Sequence, residues 1–361
     1  MKKHFDILDG LRGTAALLVV VFHLMEASFP DPAKNPLHHA YLAVDFFFLL
    51  SGFVIGYAYD ERWKTMTIKE FLRIRLIRLH PLVVAGVLIG ALGYWVDPFV
   101  GSAQHVSFLR LLEGIGLGVL LLPSPTLPNR WTETHSLNGP SWSLFQEYIA
   151  NIVYGFIGPR LGRKALIAVV VLSGIVVATT AIVLGNLQGG WGWDTFWMAP
   201  VRVAFPFFAG LLLYRLNARI HIPVAYPLLS LALLILFALP YFPMNGIYEA
   251  ICIILIFPLI IAAGAGGKVT GRTAKLCAFA GKISYPIYIL HYPFIYIYTH
   301  WLYQNHPSQL LTVTVAASLT LFFIFLAWVA FRFYDTPVRA MLAARFRTVS
   351  KRPEAPHNII L

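Results

Sequence analysis

Leu8-Asp-Gly-Leu-Arg-Gly-Thr-Ala-Ala-Leu-Leu-Val-Val-Val-Phe-His23 decides how the chain is read. It is the first apolar run of membrane length, yet it carries Asp9 and Arg12 at one end and His23 toward the other. The Arg12–His23 spacing of eleven is about three helical turns, so both side chains leave one face roughly 16 Å apart along the axis. A charge at mid-bilayer costs about 2.5–3.5 kcal/mol on insertion scales. Arg12 escapes much of this by snorkelling to the interface. His23 can stay neutral, but its ring nitrogens still need partners where water is scarce. Taken alone, such a histidine reads as a satisfied structural residue, and the rest of the chain decides whether it is more.

Of 361 residues, 58% are apolar and 12% charged, with mean hydropathy +0.70. Soluble domains carry about 25% charged residues, so the composition is that of an all-α polytopic membrane protein. The net charge of +12 suggests nucleic acid only if its distribution is ignored. Cys252 and Cys277 lie in or beside apolar runs and offer neither metal-ligand spacing nor a disulfide framework. Arg12 within the first run, with no clear small-x-small cleavage site, favours an uncleaved span over a signal peptide.

Eleven apolar segments can be marked, at about 8–29, 38–59, 80–98, 106–123, 142–158, 165–185, 196–214, 223–241, 247–265, 282–303 and 309–333. Of the 28 Lys and Arg, 22 fall in six clusters: Lys2/Lys3, Arg62 to Arg78, Arg160 to Lys164, Arg215/Arg219, Lys268 to Lys282, and Arg339 to Arg352. The positive-inside rule places all six on one side only if 106–123 does not cross. That segment, with Arg110, Glu113 and three glycines, is the poorest spanner. The expectation is a bundle of about ten spans with both termini cytoplasmic and 106–123 re-entrant or interfacial. Residues 1–340 read as one transmembrane domain and 341–361 as a basic cytoplasmic tail. The outer stretch 99–141, rich in Pro, Asn, Thr and Trp, has the character of a loop lining a polar site.

Threaded this way, His23, Asp45 and Glu147 fall in one outer-half layer on three spans, and mutual pairing around a hydrated cavity is the expected arrangement. Imidazole with carboxylates is a means of general acid–base chemistry, in which the carboxylate orients the ring and raises its basicity. On the cytoplasmic side, Phe71-Leu-Arg-Ile-Arg-Leu-Ile-Arg-Leu-His-Pro81 puts Arg75 and Arg78 on one helical face. Paired guanidinium groups suit phosphate. Plain topology signals and lipid-headgroup contacts are the alternative reading of the same run.

Together these residues resemble the acyltransferase family 3 group of integral-membrane O-acyltransferases. Arg12-x10-His23 matches its Arg/Lys-x10-His pattern, and Val44-Asp-Phe-Phe-Phe-Leu-Leu-Ser-Gly-Phe53 its second-helix motif. Arg75-x-x-Arg78 matches Arg-x-x-Arg, and Ser141-Trp-Ser-Leu-Phe-Gln-Glu147 matches Trp-Ser-Leu-x-x-Glu. Gly281-Lys-Ile-Ser-Tyr-Pro-Ile-Tyr-Ile-Leu-His291 is similar to the late-helix motif. The sequence departs at Asp335-Thr-Pro337, where the family usually has Glu, and Asp335 is given no role. The resemblance implies acyl transfer, most often of acetyl, from cytoplasmic acyl-CoA to a hydroxyl of a sugar, glycan, glycolipid or small molecule, in a bacterial inner membrane. It implies His23, Glu147 and Asp45 as the catalytic set, and Arg12, Arg75, Arg78, Trp142, Ser143 and His291 as substrate- or acyl-CoA-binding residues, with no metal. Sequence leaves open an acyl-His intermediate and a direct general-base route. A secondary transporter with an intramembrane His/Asp/Glu proton relay is the rival class, and a non-catalytic membrane scaffold is the third.

Overall fold

The computed structural model describes residues 4–29, 31–101 and 106–347. Helices account for nearly all regular structure: α1 Asp6–Ser28, α2 Ala43–Tyr59, α3 Ile68–Val96, α4 Phe108–Val119, α5 Ser141–Ile157, α6 Arg163–Leu184, α7 Met198–Arg215, α8 Ala225–Ala238, α9 Asn245–Ile251, α10 Phe257–Gly266, α11 Gly271–Leu290, α12 Tyr292–Asn305, α13 Gln309–Ala330 and α14 Thr336–Arg347. π turns at Cys252–Ile256 and Phe331–Asp335 join α9 to α10 and α13 to α14. Among the described residues the only β pairing is an isolated antiparallel bridge between Glu133 and Gly192. Seven helical stretches are long and apolar enough to cross a membrane: Asp6–Ser28, Ala40–Lys64, Ile68–Val96, Arg163–Leu184, Met198–Arg215, Asn245–Gly266 and Gln309–Phe346. The molecule is a multi-pass membrane protein. Residues 341–347 continue α14, and the rest of the expected tail lies outside the described residues.

Apolar side chains gain nothing by leaving lipid for one another, so close backbone approach between small residues holds such bundles together. The α2–α7 pair is built on this. A Cβ on Gly52 would overlap the carbonyl oxygen of Phe207, and one on Gly210 would overlap that of Leu49. On α1, Gly13 lies against the Ala280 backbone of α11 in the same way, and Gly10 makes room for the side chains of Tyr226 and Cys277.

Two departures from the expected layout shape the interior. The basic run belongs to α3 itself, which opens on a Thr67–Glu70 capping box and continues through Pro81 to Val96. The segment 282–303 is not one straight helix: α11 starts earlier, at Gly271, and the path breaks at His291 before α12. The cause is Pro293. It has no N–H for the Ile289 carbonyl four residues back, and Asn138 Nδ2 donates to that oxygen instead, at 2.8 Å. α1 runs beside both pieces, from Asp9 near Gly281 to Ser28 at Tyr298.

The short α4 lies along α3, from the Trp95–Phe108 ring contact to Gly118 against Val87. The chain then turns at Leu121 (φ 57°), runs along the surface with several exposed residues to Thr132, and is buried from Glu133 to Pro140. Gly90 lets the Leu137 carbonyl press against α3, where a Cβ would overlap it. This inward loop starts α5 at a buried Ser141. Replacing Gly210 by Val should abolish the α2–α7 contact at a cost above the ~1–3 kcal/mol of ordinary overpacking, because backbone is what it meets. The check is the fraction of monodisperse protein after detergent extraction, which should fall sharply relative to a lipid-facing Leu172→Val control.

Candidate active site

Polar side chains form a column between α1, α3, α5 and the α11–α12 break. At the end of the molecule carrying the basic clusters, Arg12 Nη2 donates to Asp9 Oδ1 at 2.7 Å and its Nε to Ser284 Oγ at 2.9 Å. His4, just before α1, meets the other Asp9 oxygen at 2.9 Å. That hydrogen bond to Asp9 raises the imidazole pKa above its usual range. Arg78 is half-buried within electrostatic reach of Arg75, Arg12 and Arg339 and of the Asp9 and Asp335 carboxylates, and among the described residues it forms no salt bridge. Asp335 pairs with Arg339 at 2.7 Å, one turn apart.

One layer further in, Arg75 Nη2 donates to Glu147 Oε1 at 2.7 Å, and Ser51 Oγ donates to the same oxygen at 2.9 Å. A cleft of about 280 Å³ opens beside this pair between α3 and α5, lined by Lys69, Leu72, Arg73, Arg75, Tyr148 and Asn151 among others. Two buried atoms, Arg75 Nε and Asn151 Oδ1, find no protein partner there. Ser143 Oγ donates to the Pro140 carbonyl and accepts from Tyr288 OH, each at 2.8 Å. The Tyr288 ring lies 6.3 Å from that of His291.

His23 closes the column. Its Nδ1 meets Glu26 Oε2 at 3.0 Å, one turn on in α1. Its ring faces His291 at 5.5 Å and Tyr292 edge-on at 4.8 Å. His291 Nδ1 donates to the Ile287 and Tyr288 carbonyls at 3.0 and 2.9 Å, which fixes its tautomer and leaves the buried Nε2 as an unpartnered acceptor. Beyond lies Glu133, 2% exposed. It accepts from Tyr296 OH, and burial pushes its carboxyl up to about 8. Tyr296 packs 4.9 Å from Tyr292, and the Arg130 guanidinium sits 3.8 Å over the Tyr296 ring.

The expected His23–Asp45–Glu147 cluster is not formed, and this is the main correction. Asp45 is wholly buried on α2 and is held by Arg202 of α7, whose Nε donates to Oδ1 at 3.3 Å and whose Nη2 bonds Oδ2. Arg202 also donates to the Gly189 and Tyr41 carbonyls, at 2.8 and 3.0 Å, and lies 5.3 Å over the Trp142 ring. Glu147 meets Arg75, not His23, because the inward loop begins α5 inside the bundle and carries Glu147 toward the basic end. Arg75 is therefore an ion-pair partner, and Arg78 is the free member of the expected guanidinium pair. Five residues of this neighbourhood were given no site role from the sequence: Glu26, Arg130, Glu133, Arg202 and Tyr292. Arg202, an unpaired charge inside an apolar run, was the one with a clear signal.

The acyltransferase 3 family model, described as an acyltransferase domain, matches residues 5–332, so the chain belongs to that family of acyltransferases. Among relatives, it is 28% identical to "Acyltransferase MdmB" of Streptomyces mycarofaciens over 79% of this chain and 77% of that protein. It is 24% identical to "Peptidoglycan O-acetyltransferase OatA" of Listeria monocytogenes over 94% of this chain and 56% of that one. "Protein 2 in picA locus" of Rhizobium radiobacter is 36% identical over half of this chain and 95% of its own length. No solved structure matches.

The Asp45–Arg202 pair gives a direct test of structural against chemical function. Arg202→Ala alone leaves a buried carboxylate unpaired and should lower stability by ~3–5 kcal/mol. Asp45→Leu combined with Arg202→Met should recover most of the unfolding midpoint, read by thermal denaturation in detergent.

Proposed function

We propose that the protein is an O-acyltransferase of a bacterial inner membrane that moves an acyl group, acetyl in the first instance, from cytoplasmic acyl-CoA to a hydroxyl of a sugar, glycan, glycolipid or small molecule. The observation that carries this reading is the polar column itself, which joins a cationic mouth at Arg12 and Arg78 to an imidazole roughly 16 Å away along α1. Ten crossings with the basic clusters on the cytoplasmic side, and α4 with the returning loop as a re-entrant hairpin, are the threading we adopt. On that threading the donor's phosphates meet Arg78 and Arg12, and the cleft beside Arg75 admits the pantetheine arm. The arm's amide groups match the unpartnered Arg75 Nε and Asn151 Oδ1, an acceptor for the one and a donor for the other. Ser143 and Tyr288 line the path, and Trp142 braces Arg202 at its wall.

At the outer end, Glu26 accepts the Nδ1 proton of His23 and leaves the Nε2 lone pair available. That lone pair is what either route requires, removal of the acceptor's hydroxyl proton or uptake of the acyl group. His291 Nε2 is a second acceptor for a hydroxyl beside it. Trp131, 54% exposed and held at φ 46°, packs 6.3 Å from Tyr296. It offers an aromatic face to a ring-shaped acceptor at the mouth of this vestibule. The name of the relative OatA, a peptidoglycan O-acetyltransferase, supports acetyl and a glycan within this range.

His23→Ala should reduce transfer by about 10²–10⁴-fold, and Glu26→Gln by less, since the ring remains. Release of free CoA by purified protein in nanodiscs with a bacterial envelope-glycan extract measures both, and wild-type turnover in His23→Ala rejects the assignment. Because Arg78 forms no salt bridge among the described residues, and Asp9 and Asp335 keep their own arginines, Arg78→Ala should fold normally. It should also raise the apparent KM for acetyl-CoA by roughly 10–100-fold, the worth of a charge-assisted hydrogen bond. An unchanged KM would place the donor elsewhere.

A further inference from the structure

Where the inward loop meets α3, α4 and α5, three buried polar atoms face one small hollow without a protein partner: His135 Nε2, Asn138 Oδ1 and Ser141 Oγ. Their residues are 4%, 1% and 1% exposed. Val87, Gly114, Gly118, Ser124 and Leu137 complete the walls, and the free volume is about 10 Å³. That is the lower bound for a single water and too little for a larger ligand.

The hydrogen-bonding sense of each group follows from what its other atoms do. Asn138 Nδ2 is committed to the Ile289 carbonyl, so the amide cannot turn and Oδ1 presents only lone pairs to the hollow. Thr134 Oγ1 donates to the Trp191 carbonyl at 3.1 Å, so it accepts from His135 Nδ1 at 2.9 Å and leaves Nε2 unprotonated. Burial keeps that ring neutral, pushing its pKa down to about 4. Ser141 Oγ has a proton to give. Two acceptors and one donor are the complement of one water, which has two protons to donate and a lone pair to accept with.

We propose that this hollow is a water-binding site in which a single molecule donates to His135 Nε2 and Asn138 Oδ1 and accepts from Ser141 Oγ. Each of the three atoms otherwise keeps an uncompensated desolvation penalty, and one water removes all three. Its place gives it a task. It ties the loop carrying Arg130, Trp131 and Glu133 to the first turn of α5, two residues before Ser143. Through Asn138 it also ties the loop to the carbonyl freed at the α11–α12 break, two residues before His291. The water is thus a joint between three walls of the site, independent of which acyl group or acceptor the site takes.

A cryo-electron microscopy map of the full chain in nanodiscs, at a resolution that shows ordered water, is the direct test. A peak within hydrogen-bonding distance of all three atoms is the expected result. An empty hollow, or His135 Nε2 turned onto the nearby Leu121 carbonyl, overturns the proposal. A thermal-unfolding cycle with Ser141→Ala and His135→Phe provides a second, independent reading. Each single change should lower the midpoint by about 2–4 °C, and the double change by clearly less than both together, because they remove the same water. Strictly additive losses overturn it. Should His135→Phe fail to fold, His135→Leu replaces it in the cycle, with the same two outcomes.

Discussion

A carboxylate and a guanidinium enter a lipid-embedded bundle together or they impose several kcal/mol each. The interior of this protein is organised by that constraint. Arg202 and Asp45 fix α7 against α2 at the place where Gly52 and Gly210 let the two backbones touch. Arg75 and Glu147 fix α3 against α5, with Ser51 of α2 completing the carboxylate's hydrogen bonds. Asp9 and Arg12, one turn apart on α1, reach Ser284 of α11. Each pair satisfies its own charges and so names which helices are neighbours.

Much of this architecture was legible in the sequence. Apolar runs, clusters of Lys and Arg, and the eleven-residue spacing of Arg12 and His23 are local properties, and local properties survive folding. The choice of ion-pair partner is not local. Asp45 could meet His23 or Arg202 by depth alone, and only helix adjacency decides between them. The error over Glu147 has a traceable origin: a polar loop such as 133–140 normally lies outside the bundle, whereas here it is buried, with Leu137 beside Gly90, and starts α5 deeper. Glu26 was hidden for the opposite reason. It is 44% exposed in its side chain, so it looked like an ordinary boundary residue, although its i, i+3 spacing from His23 was on view.

The break at His291 shows how one backbone rule propagates to the site. Pro293 removes a donor, the Ile289 carbonyl is orphaned, and Asn138 from a distant loop supplies the missing hydrogen bond. That contact anchors the loop, and the bend turns His291 toward His23. Continuous helix through this point would have kept the late motif straight and parted the two imidazoles.

Partner accounting also separates residues that a motif treats alike. Arg75 and Arg78 belong to one pattern on one helix, yet Arg75 spends its charge on Glu147 and Arg78 keeps its own beside two further guanidinium groups. The carboxylates within its reach, Asp9 and Asp335, are each committed to another arginine, so guanidinium groups outnumber carboxylates around Arg78 in the resting protein. An anion arriving there relieves repulsion as well as gaining hydrogen bonds, so its binding energy is larger than its contacts alone provide. An ion pair, by contrast, must be broken before its arginine can serve a ligand. On the function proposed above, the member of the motif suited to the donor's phosphates is therefore the one the fold leaves without a salt bridge.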